Sequence, residues 1–529
     1  INSDLSVVMT PARSRNGSDR PPTRHSHLQQ KRPMEQLVDS LNGVIWSPAL
    51  IFLCLAAGLY FSLRTRFAQV RHFIEMLRLM RGSKASAEGV SSFQALAMSL
   101  SGRVGTGNIA GVATAITFGG PGAMFWMWLV AFLGASTAFV ESTLSQIYKV
   151  RREGQYRGGP AYYIEKGLGI RWYAVAFAIA TVLACGLLLP GVQANGISSA
   201  IENSFGIAKP VTGAVLVLLL GMIIFGGVKR IARVAEIVVP FMALGYILIA
   251  WVVIALDIER LPGVVRLVFE SAFGVEAGFG AVLGMAIQWG VKRGVYSNEA
   301  GQGTGPHASA AAEVTHPAQQ GLVQAFSVYV DTLFVCSATG FMILITGAYN
   351  VVAPGGRALF SGAAGIEAGP GYTQMAVESV LPGFGAAFVA MALFFFAFTT
   401  ILAYYYIAET NVAYLSRARS SAAGTFVLRA VILLATLYGA VKSASVAWAL
   451  GDIGVGLMAW LNIVAILLLQ KPALKALRDY EAQKRAGREP TFDPAALGIA
   501  NATFWEKPAA ASGTRDGRAE PVVAAERQS

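Results

Sequence analysis

Charge is what this 529-residue chain has least of: Asp, Glu, Lys and Arg together make up 14%, against about 25% in soluble domains. With 54% hydrophobic residues and a mean hydropathy of +0.53, that scarcity excludes a soluble globular chain and points to a polytopic membrane protein. Cysteine is scarce as well. Cys54, Cys185 and Cys336 are far apart, each inside an apolar run, which speaks against a disulfide framework or a zinc site and leaves them as small buried hydrophobes. His307 and His316 have no Cys or carboxylate cluster at ligand spacing beside them, so no metal centre is expected there. No Gly-x-x-x-x-Gly-Lys-Ser/Thr loop occurs, which argues against a nucleotide-driven pump. Nor does a nucleophile–base pair stand out, so an enzyme is not indicated. The net charge of +12 does not signal nucleic acid, because the basic residues sit in short connections beside apolar runs, where the orientation rule accounts for them.

Apolar runs of spanning length fall at about 43–63, 94–118, 123–148, 172–200, 210–227, 234–256, 278–311, 319–347, 382–409, 424–441 and 446–469, giving an all-α protein of about eleven transmembrane helices. Their connections alternate in charge. Arg64 to Lys84, Lys149 to Arg171 and Lys229 to Arg233 are basic, while 119–122 and 202–210 carry almost no positive charge. By the positive-inside rule this sets the N-terminus outside and the C-terminus in the cytoplasm of a cell with the protein in its inner (cytoplasmic) membrane. Residues 1–40 read as a basic, disordered tail, 41–470 as the transmembrane domain and 471–529 as a disordered cytoplasmic tail. The chain opens on Ile1, and Met34 is the expected start, with the preceding stretch an upstream extension.

The stretch 101–108, Ser-Gly-Arg-Val-Gly-Thr-Gly-Asn, interrupts the second run. Its glycines, threonine and asparagine withdraw helix propensity in mid-span, so the helix is expected to break there. Irregular backbone at membrane depth is tolerated only where protein, water or a ligand satisfies it. The half-helix that starts after the break points free N–H groups and partial positive charge inward, which suits a carboxylate. The carbonyls that end the first half suit a cation. Small residues for close packing explain Gly111, Ala113 and Ala115, but packing does not ask for consecutive Gly, Thr and Asn. A dinucleotide loop does not fit either, because no strand precedes the glycines.

A second small polar cluster, Ser297 to Gly305, interrupts the seventh run. From residue 94 the spans divide into two fives, about 94–256 and 278–469, each opened by an interrupted helix. Five is odd, so the halves lie inverted across the membrane, and paired interrupted helices in inverted halves point to a transporter site at the midplane.

Several motifs carry a resemblance: Ser-Gly-Arg-Val-Gly-Thr-Gly-Asn-Ile-Ala-Gly-Val-Ala (101–113), Gly-Gly-Pro-Gly-Ala (119–123) with Phe125-Trp126-Met127-Trp128, Gly-Gly-Pro-Ala-Tyr-Tyr-Ile (158–164) and Ser-Asn-Glu-Ala-Gly (297–301). In this order, over about residues 40–470, the chain resembles the alanine or glycine:cation symporter family. The resemblance implies the inverted-repeat fold of leucine-transporter type with one extra leading helix. It also implies import of small neutral amino acids, alanine or glycine, with sodium by alternating access. No cofactor is implied beyond the coupling ion Na+, and a proton-coupled carrier (H+) of the same fold is the alternative. The implied partners are the amino acid, sodium and the lipid bilayer, with no nucleic acid and no obligate protein partner.

On that resemblance Gly105, Thr106, Gly107 and Asn108 would hold the substrate carboxylate. Main-chain oxygens of Gly102 and Val104 opposite the hydroxyls of Thr399 and Thr400 resemble the superfamily's shared sodium site, although buried threonines commonly bond back to their own helix. Gln193 and Asn195, amides too costly to face lipid, either take the substrate ammonium or act as interhelical glue. Tyr296, Asn298 and Tyr404 are candidate walls. Arg103, Glu141, Glu299 and Asp331 are ionisable groups near membrane depth that need partners, and a proton-coupled carrier would use one of the three carboxylates. Arg103 stands where the family most often has threonine, and Ala403-Tyr404 where a glycine–tryptophan pair is typical. Such wall changes alter discrimination by about 1–3 kcal/mol per methylene, which leaves the amino acid, its D/L preference and the ion stoichiometry open.

Overall fold

Backbone in hydrocarbon has to bond to itself, and the apolar runs do so as helices. A computed structural model describes residues 33–81, 85–86, 88–226, 228–274, 283–417 and 421–506. In chain order the helices are α1 (Pro33–Ile45), α2 (Pro48–Arg64), α3 (Ala68–Arg71), α4 (Phe73–Leu79), α5 (Ser92–Arg103), α6 (Val112–Gly119), α7 (Ala123–Ile147), α8 (Pro160–Tyr163), α9 (Arg171–Leu183), α10 (Leu189–Phe205), α11 (Lys209–Ile224) and α12 (Val228–Leu256). There follow α13 (Leu261–Ala272), α14 (Leu283–Asn298), α15 (Gly305–Ala311), α16 (Pro317–Tyr329), α17 (Ser337–Thr346), α18 (Pro370–Val380), α19 (Gly385–Ser416), α20 (Ala422–Val441) and α21 (Ala444–Arg485). Wide π-turns at Ala184–Leu188 and Val330–Cys336 join α9 to α10 and α16 to α17.

Among the described residues eight helical stretches are long and apolar enough to cross a membrane. The three remaining expected spans are the shorter α11 and the two interrupted helices, α5 with α6 and α14 with α15. After the leading α2, the helices fall into two series of five spans. Each series opens with an interrupted helix, and because five spans is an odd number the second begins on the opposite side from the first. α16 and α14 pack along α7, while α10 packs along α19 and α20.

The structure differs from the sequence-based expectation mainly at the ends and connections. Residues 1–32 of the expected unstructured tail lie outside the described residues, but 33–45 form α1. The last helix runs on to Arg485, and the residues after it fold back onto the face carrying the basic connections. There Trp505 Nε1 donates to the Gln146 carbonyl (2.8 Å) and Lys166 Nζ to Thr503 Oγ1 (2.7 Å). Each long connection holds a two-stranded antiparallel hairpin: β1 (Val150–Arg152) with β2 (Gln155–Arg157), and β3 (Asn350–Val352) with β4 (Ala358–Ser361).

Helices in lipid associate through close packing of small residues, and one pair here leaves no room for a methyl group. A Cβ built on Gly439 of α20 would lie 2.2 Å from Cα of Gly191 in α10. Gly439→Ala is therefore expected to destabilise the fold by about 1–3 kcal/mol through overpacking, seen as a lower thermal unfolding midpoint in detergent. Gly221→Ala, with open space around the new methyl, should leave the midpoint equal or higher, because alanine favours helix over glycine by about 1 kcal/mol. Equal losses in both variants would show that the α10–α20 contact is not tight.

Candidate functional site

At the first break α5 ends at Arg103, Val104 turns extended (φ −77°, ψ 90°), and a π-turn over Gly107–Gly111 leads into α6. All of these residues are buried. The N–H groups that the break frees are satisfied by side-chain amides: Gly105 N donates to Asn108 Oδ1 (2.8 Å) and Thr106 N to Gln193 Oε1 (2.9 Å). On the carbonyl side, Thr400 Oγ1 of α19 donates to Val104 O at 3.3 Å, and to its own helix at Phe396 O at 2.9 Å. Gly105 has to be glycine here: a Cβ would sit 2.5 Å from Thr400 Oγ1 and 2.8 Å from Gln193 Oε1.

The second break runs from Glu299 to Thr304 between α14 and α15, through positive φ at Glu299 (55°), Gly301 (82°) and Gly303 (89°). Its backbone is held from two other helices. Gly301 N donates to Glu141 Oε1 of α7 (3.3 Å), and Asn462 Nδ2 of α21 donates to both Gly301 O (2.9 Å) and Glu141 Oε2 (2.7 Å). Within the turn, Ala300 N donates to Asn298 Oδ1 (3.0 Å) and Thr304 Oγ1 to Glu299 Oε2 (2.7 Å).

Asp331, in the π-turn between α16 and α17, joins the two breaks. Its carboxylate accepts from Asn108 Nδ2 of the first (2.6 Å), from Ser297 Oγ beside the second (2.9 and 3.0 Å) and from Thr332 Oγ1 (2.7 Å). Cys336, expected to be a plain hydrophobe, lies within this polar group, its sulfur 3.3 Å from Asn108 Nδ2. Arg103 reaches the other way, donating through Nη1 to Gln324 O at 3.3 Å and to Ser327 Oγ of α16.

The sequence-derived site residues are thus brought together unevenly. Gly105, Thr106, Asn108, Gln193, Val104 and Thr400 form one contact group. Gly107 lies against Tyr296 and Ser297, and Gly102 against Glu299 and Ala403 of α19. Thr399 instead bonds back to Phe395 O and Phe396 O, both at 3.0 Å. Asn195 donates to Gly439 O (3.2 Å) and Lys442 O (2.6 Å), so of its two readings the interhelical one is realised. Asn298 caps the second break and also reaches Thr332 Oγ1 (3.3 Å), while Tyr404 is buried on α19 beside Glu299. Thr332 and Asn462 lie outside the residues the sequence points to, and Ser297 enters there only as the start of the second polar cluster. The available signal was that of polar side chains in mid-span, which need a partner wherever they occur.

A cavity of about 510 Å³ opens on the face away from the basic connections and ends against Ala110, Gly196 and Trp448. Gly196 touches Thr106, whose Oγ1 has no hydrogen-bond partner among the described residues. Beside this floor Tyr296 packs on Trp448 (ring centroids 4.9 Å), and the Arg293 guanidinium lies 4.4 Å above the same indole. Asp452 of α21 holds Arg293 in this position, accepting from it at 2.7 and 3.2 Å and pairing with Lys292 at 2.7 Å.

Comparison with known proteins gives a consistent result. Residues 31–494 match the model of the Sodium:alanine symporter family. YrbD of Bacillus subtilis (strain 168) is 65% identical over 474 residues, covering 90% of this chain and 98% of that protein. The sodium/proton-dependent alanine carrier protein of Bacillus sp. (strain PS3) is 55% identical over 435 residues, covering 82% and 97%. The sodium/alanine symporter AgcS of Methanococcus maripaludis is 38% identical over 441 residues, covering 82% and 94%.

Removing one member of a buried ion pair strands its partner. Asp452→Asn leaves two cations, Lys292 and Arg293, without their counter-ion and is expected to cost about 3–5 kcal/mol in thermal unfolding in detergent. Lys292→Met keeps the Arg293–Asp452 pair and should cost much less. The same loss from both variants would mean that the Arg293–Asp452 pair does not carry the stability of this cluster.

Proposed function

The chain belongs to the sodium:alanine symporter family, and from that premise we propose that it imports alanine or glycine together with sodium across the cytoplasmic membrane by alternating access. It is a carrier and not an enzyme. The basic connections support a cytoplasmic C-terminus and an outside N-terminus, and on that orientation the 510 Å³ cavity is the external approach to the site.

The observation that carries this reading is the way the first break is occupied. The N–H groups of Gly105 and Thr106 are covered by two neutral amide oxygens, Asn108 Oδ1 and Gln193 Oε1. Both can turn away by side-chain rotation. An amino-acid carboxylate would take their place, gaining charge-assisted hydrogen bonds and the partial positive charge of the following half-helix, with Gly107 N–H and the unpartnered Thr106 hydroxyl beside it. Gln193 Oε1, released from Thr106, is then free to accept from the substrate ammonium. Tyr296, Asn298 and Tyr404 close around a short side chain.

Sodium is the co-substrate. Val104 O and Thr400 Oγ1 already face each other at 3.3 Å, and an ion between them replaces the hydroxyl's weak bond with a stronger one. The Gly102 carbonyl and Thr399, turned from its own helix, complete the oxygen set. Because these carbonyls end the half-helix before the break, the ion fixes the backbone geometry that the carboxylate then meets. Each sodium entering down 100 mV releases about 2.3 kcal/mol, which supports roughly a fifty-fold accumulation of a neutral solute.

The test is uptake of labelled alanine and glycine into proteoliposomes under an inward sodium gradient. Accumulation is expected in the unmodified protein and its loss in Asn108→Ala. Thr400→Ala should raise the half-saturating sodium concentration about ten-fold, the effect of roughly 1.4 kcal/mol of lost ligation. Thr399→Ala, which removes only a peripheral oxygen, should shift it by less than about three-fold. Uptake that runs equally well with choline in place of sodium would overturn the assignment.

A further inference from the structure

On the face that carries the basic connections, the ends of both interrupted helices converge on one residue. Ala312, just after α15, meets Val90, just before α5, in a parallel bridge: Val90 N donates to Ala311 O (2.9 Å) and Glu313 N to Val90 O (2.8 Å). The two half-helices are thereby tied together at this face. From the end of α7, Gln146 Nε2 donates to Ser309 O and to Ala312 O (3.1 Å), and Lys149 Nζ donates to the same Ala312 carbonyl (2.9 Å).

Lys149 is fully buried, and an ammonium withdrawn from water is held only where other groups answer its charge. Besides the Ala312 carbonyl, three rings surround it: Tyr156 of β2 at 4.6 Å, Phe504 at 4.4 Å and Trp505 at 5.2 Å. Ring faces attract a cation most strongly where water is excluded. Two of these rings belong to the segment that folds back after α21. Trp505 is fixed by its bond to Gln146 O (2.8 Å) and by Phe492 (ring centroids 5.3 Å), which also packs on His316 at the start of α16 (5.4 Å). The other hydrogen bonds that seat the segment lie at the surface, among them Lys166 to Thr503, Asn501 to Lys166 O, Lys475 to Leu497 O and Gln483 to Thr491 O. Exposed bonds of this kind belong to the low-stability end of a structure. Residues 491–505 contain no helix, so lifting them unwinds none.

We propose that residues 491–505 are a strap across the cytoplasmic exit, acting through Lys149. Docked, Phe504 and Trp505 keep water from the ammonium and hold it on Ala312 O, so that the ends of α5 and α15 stay together and the exit is shut. Lifted, the strap lets water reach Lys149, the ammonium leaves the carbonyl for its own hydration, and the two half-helices part. Lys149 is a positioning residue of the cycle: it touches neither amino acid nor ion. The proposal rests on the carrier reading and its orientation, and adds to them a device that sets the balance between outward-open and inward-open states.

The experiment measures maleimide labelling rates of two introduced cysteines in full-length protein in detergent, with labelling of the protein lacking them subtracted. S99C reports the inner side, where Ser99 lines a small cavity with Gly102 and Gly305, and S199C reports the 510 Å³ outer cavity. Removing both rings, F504A/W505A, should speed S99C labelling about ten-fold, the size expected from losing desolvated cation–π contacts, and slow S199C labelling. K149Q should do the same, K149R should restore the slow S99C rate, and adding F504A/W505A to K149Q should change nothing further, because groups acting through one contact are not additive. Unchanged rates in F504A/W505A overturn the proposal. So does a rise at both positions, which is a loosened fold rather than a shift between states, and so does an additive rise in the combined variant. Should F504A/W505A fail to elute as a folded protein, F504L decides: it keeps apolar volume but offers no ring, and an S99C rate equal to the unmodified one removes the strap. Sodium-driven alanine uptake by the unmodified protein is measured alongside. Its absence would sink the carrier reading and the strap's role with it, whereas uptake with unchanged labelling sinks the strap alone.

Discussion

Two places where helical backbone stops in mid-span set the terms for the rest of this structure. An intramolecular hydrogen bond contributes only about 0.5–1.5 kcal/mol net, but a buried group left without one costs about 1–3 kcal/mol, so each freed N–H and C=O must be met by something. Asn108, Gln193 and Thr400 meet the first break, and Glu141, Asn298 and Asn462 the second. These groups come from α7, α10, α14, α19 and α21 as well as the first break itself. Satisfying the breaks therefore locks the order of half the bundle.

The two breaks are met in chemically different ways. The first is covered by neutral amides and a hydroxyl, groups whose single bonds can be exchanged for a ligand's. The second is clamped by the Glu141 carboxyl group and Asn462, which bond to each other as well as to the backbone, so that releasing one contact disturbs the others. That asymmetry separates the roles. The first break suits the binding and release proposed for it, while the second, carrying three residues at positive φ, is held more firmly. Asp331 reads both, since Asn108 and Ser297 share its carboxylate, and any ligand that draws Asn108 away alters the contact between the two halves.

The sequence made the helices and both interruptions legible because glycine, threonine and asparagine in mid-span contradict the apolar pattern around them. It left the connections and the C-terminal end less legible. The polar composition after Gln470 resembles an unstructured tail, but Phe504 and Trp505 pack against Lys149 and Gln146, both buried, with the Lys149 ammonium 4.4 Å from the Phe504 ring. No local pattern announces such a contact. Within the site, the mid-span cluster put Gly105 and Asn108 at a break and the family resemblance put Thr400 opposite it, but neither could tell Thr399 from Thr400, neighbours on one helix whose faces differ by a rotation of about 100°. Nor could either separate Gln193 from Asn195. Helix rotation, set by packing far away in sequence, decides that Gln193 faces Thr106 and Asn195 faces α20.

The occupied state of the first break also bears on why an ion and a substrate should depend on each other. With Asn108 and Gln193 in place, the N–H groups of Gly105 and Thr106 are already bonded, so a carboxylate arriving from water gains only the difference between a charged and a neutral acceptor, about 1 kcal/mol per bond, while surrendering its own hydration. On that balance alone the site binds weakly. In the function proposed above, a sodium ion at Val104 O would change both terms at once: it would draw the Thr400 hydroxyl and the carbonyl into its own shell, and it would place a positive charge one residue from the N–H groups proposed for the carboxylate. Without the ion the substrate has too little to gain, and without the substrate the ion's charge stands against a break that the amides have closed. Coupling then follows from the placeholders themselves, because neither ligand alone repays their displacement.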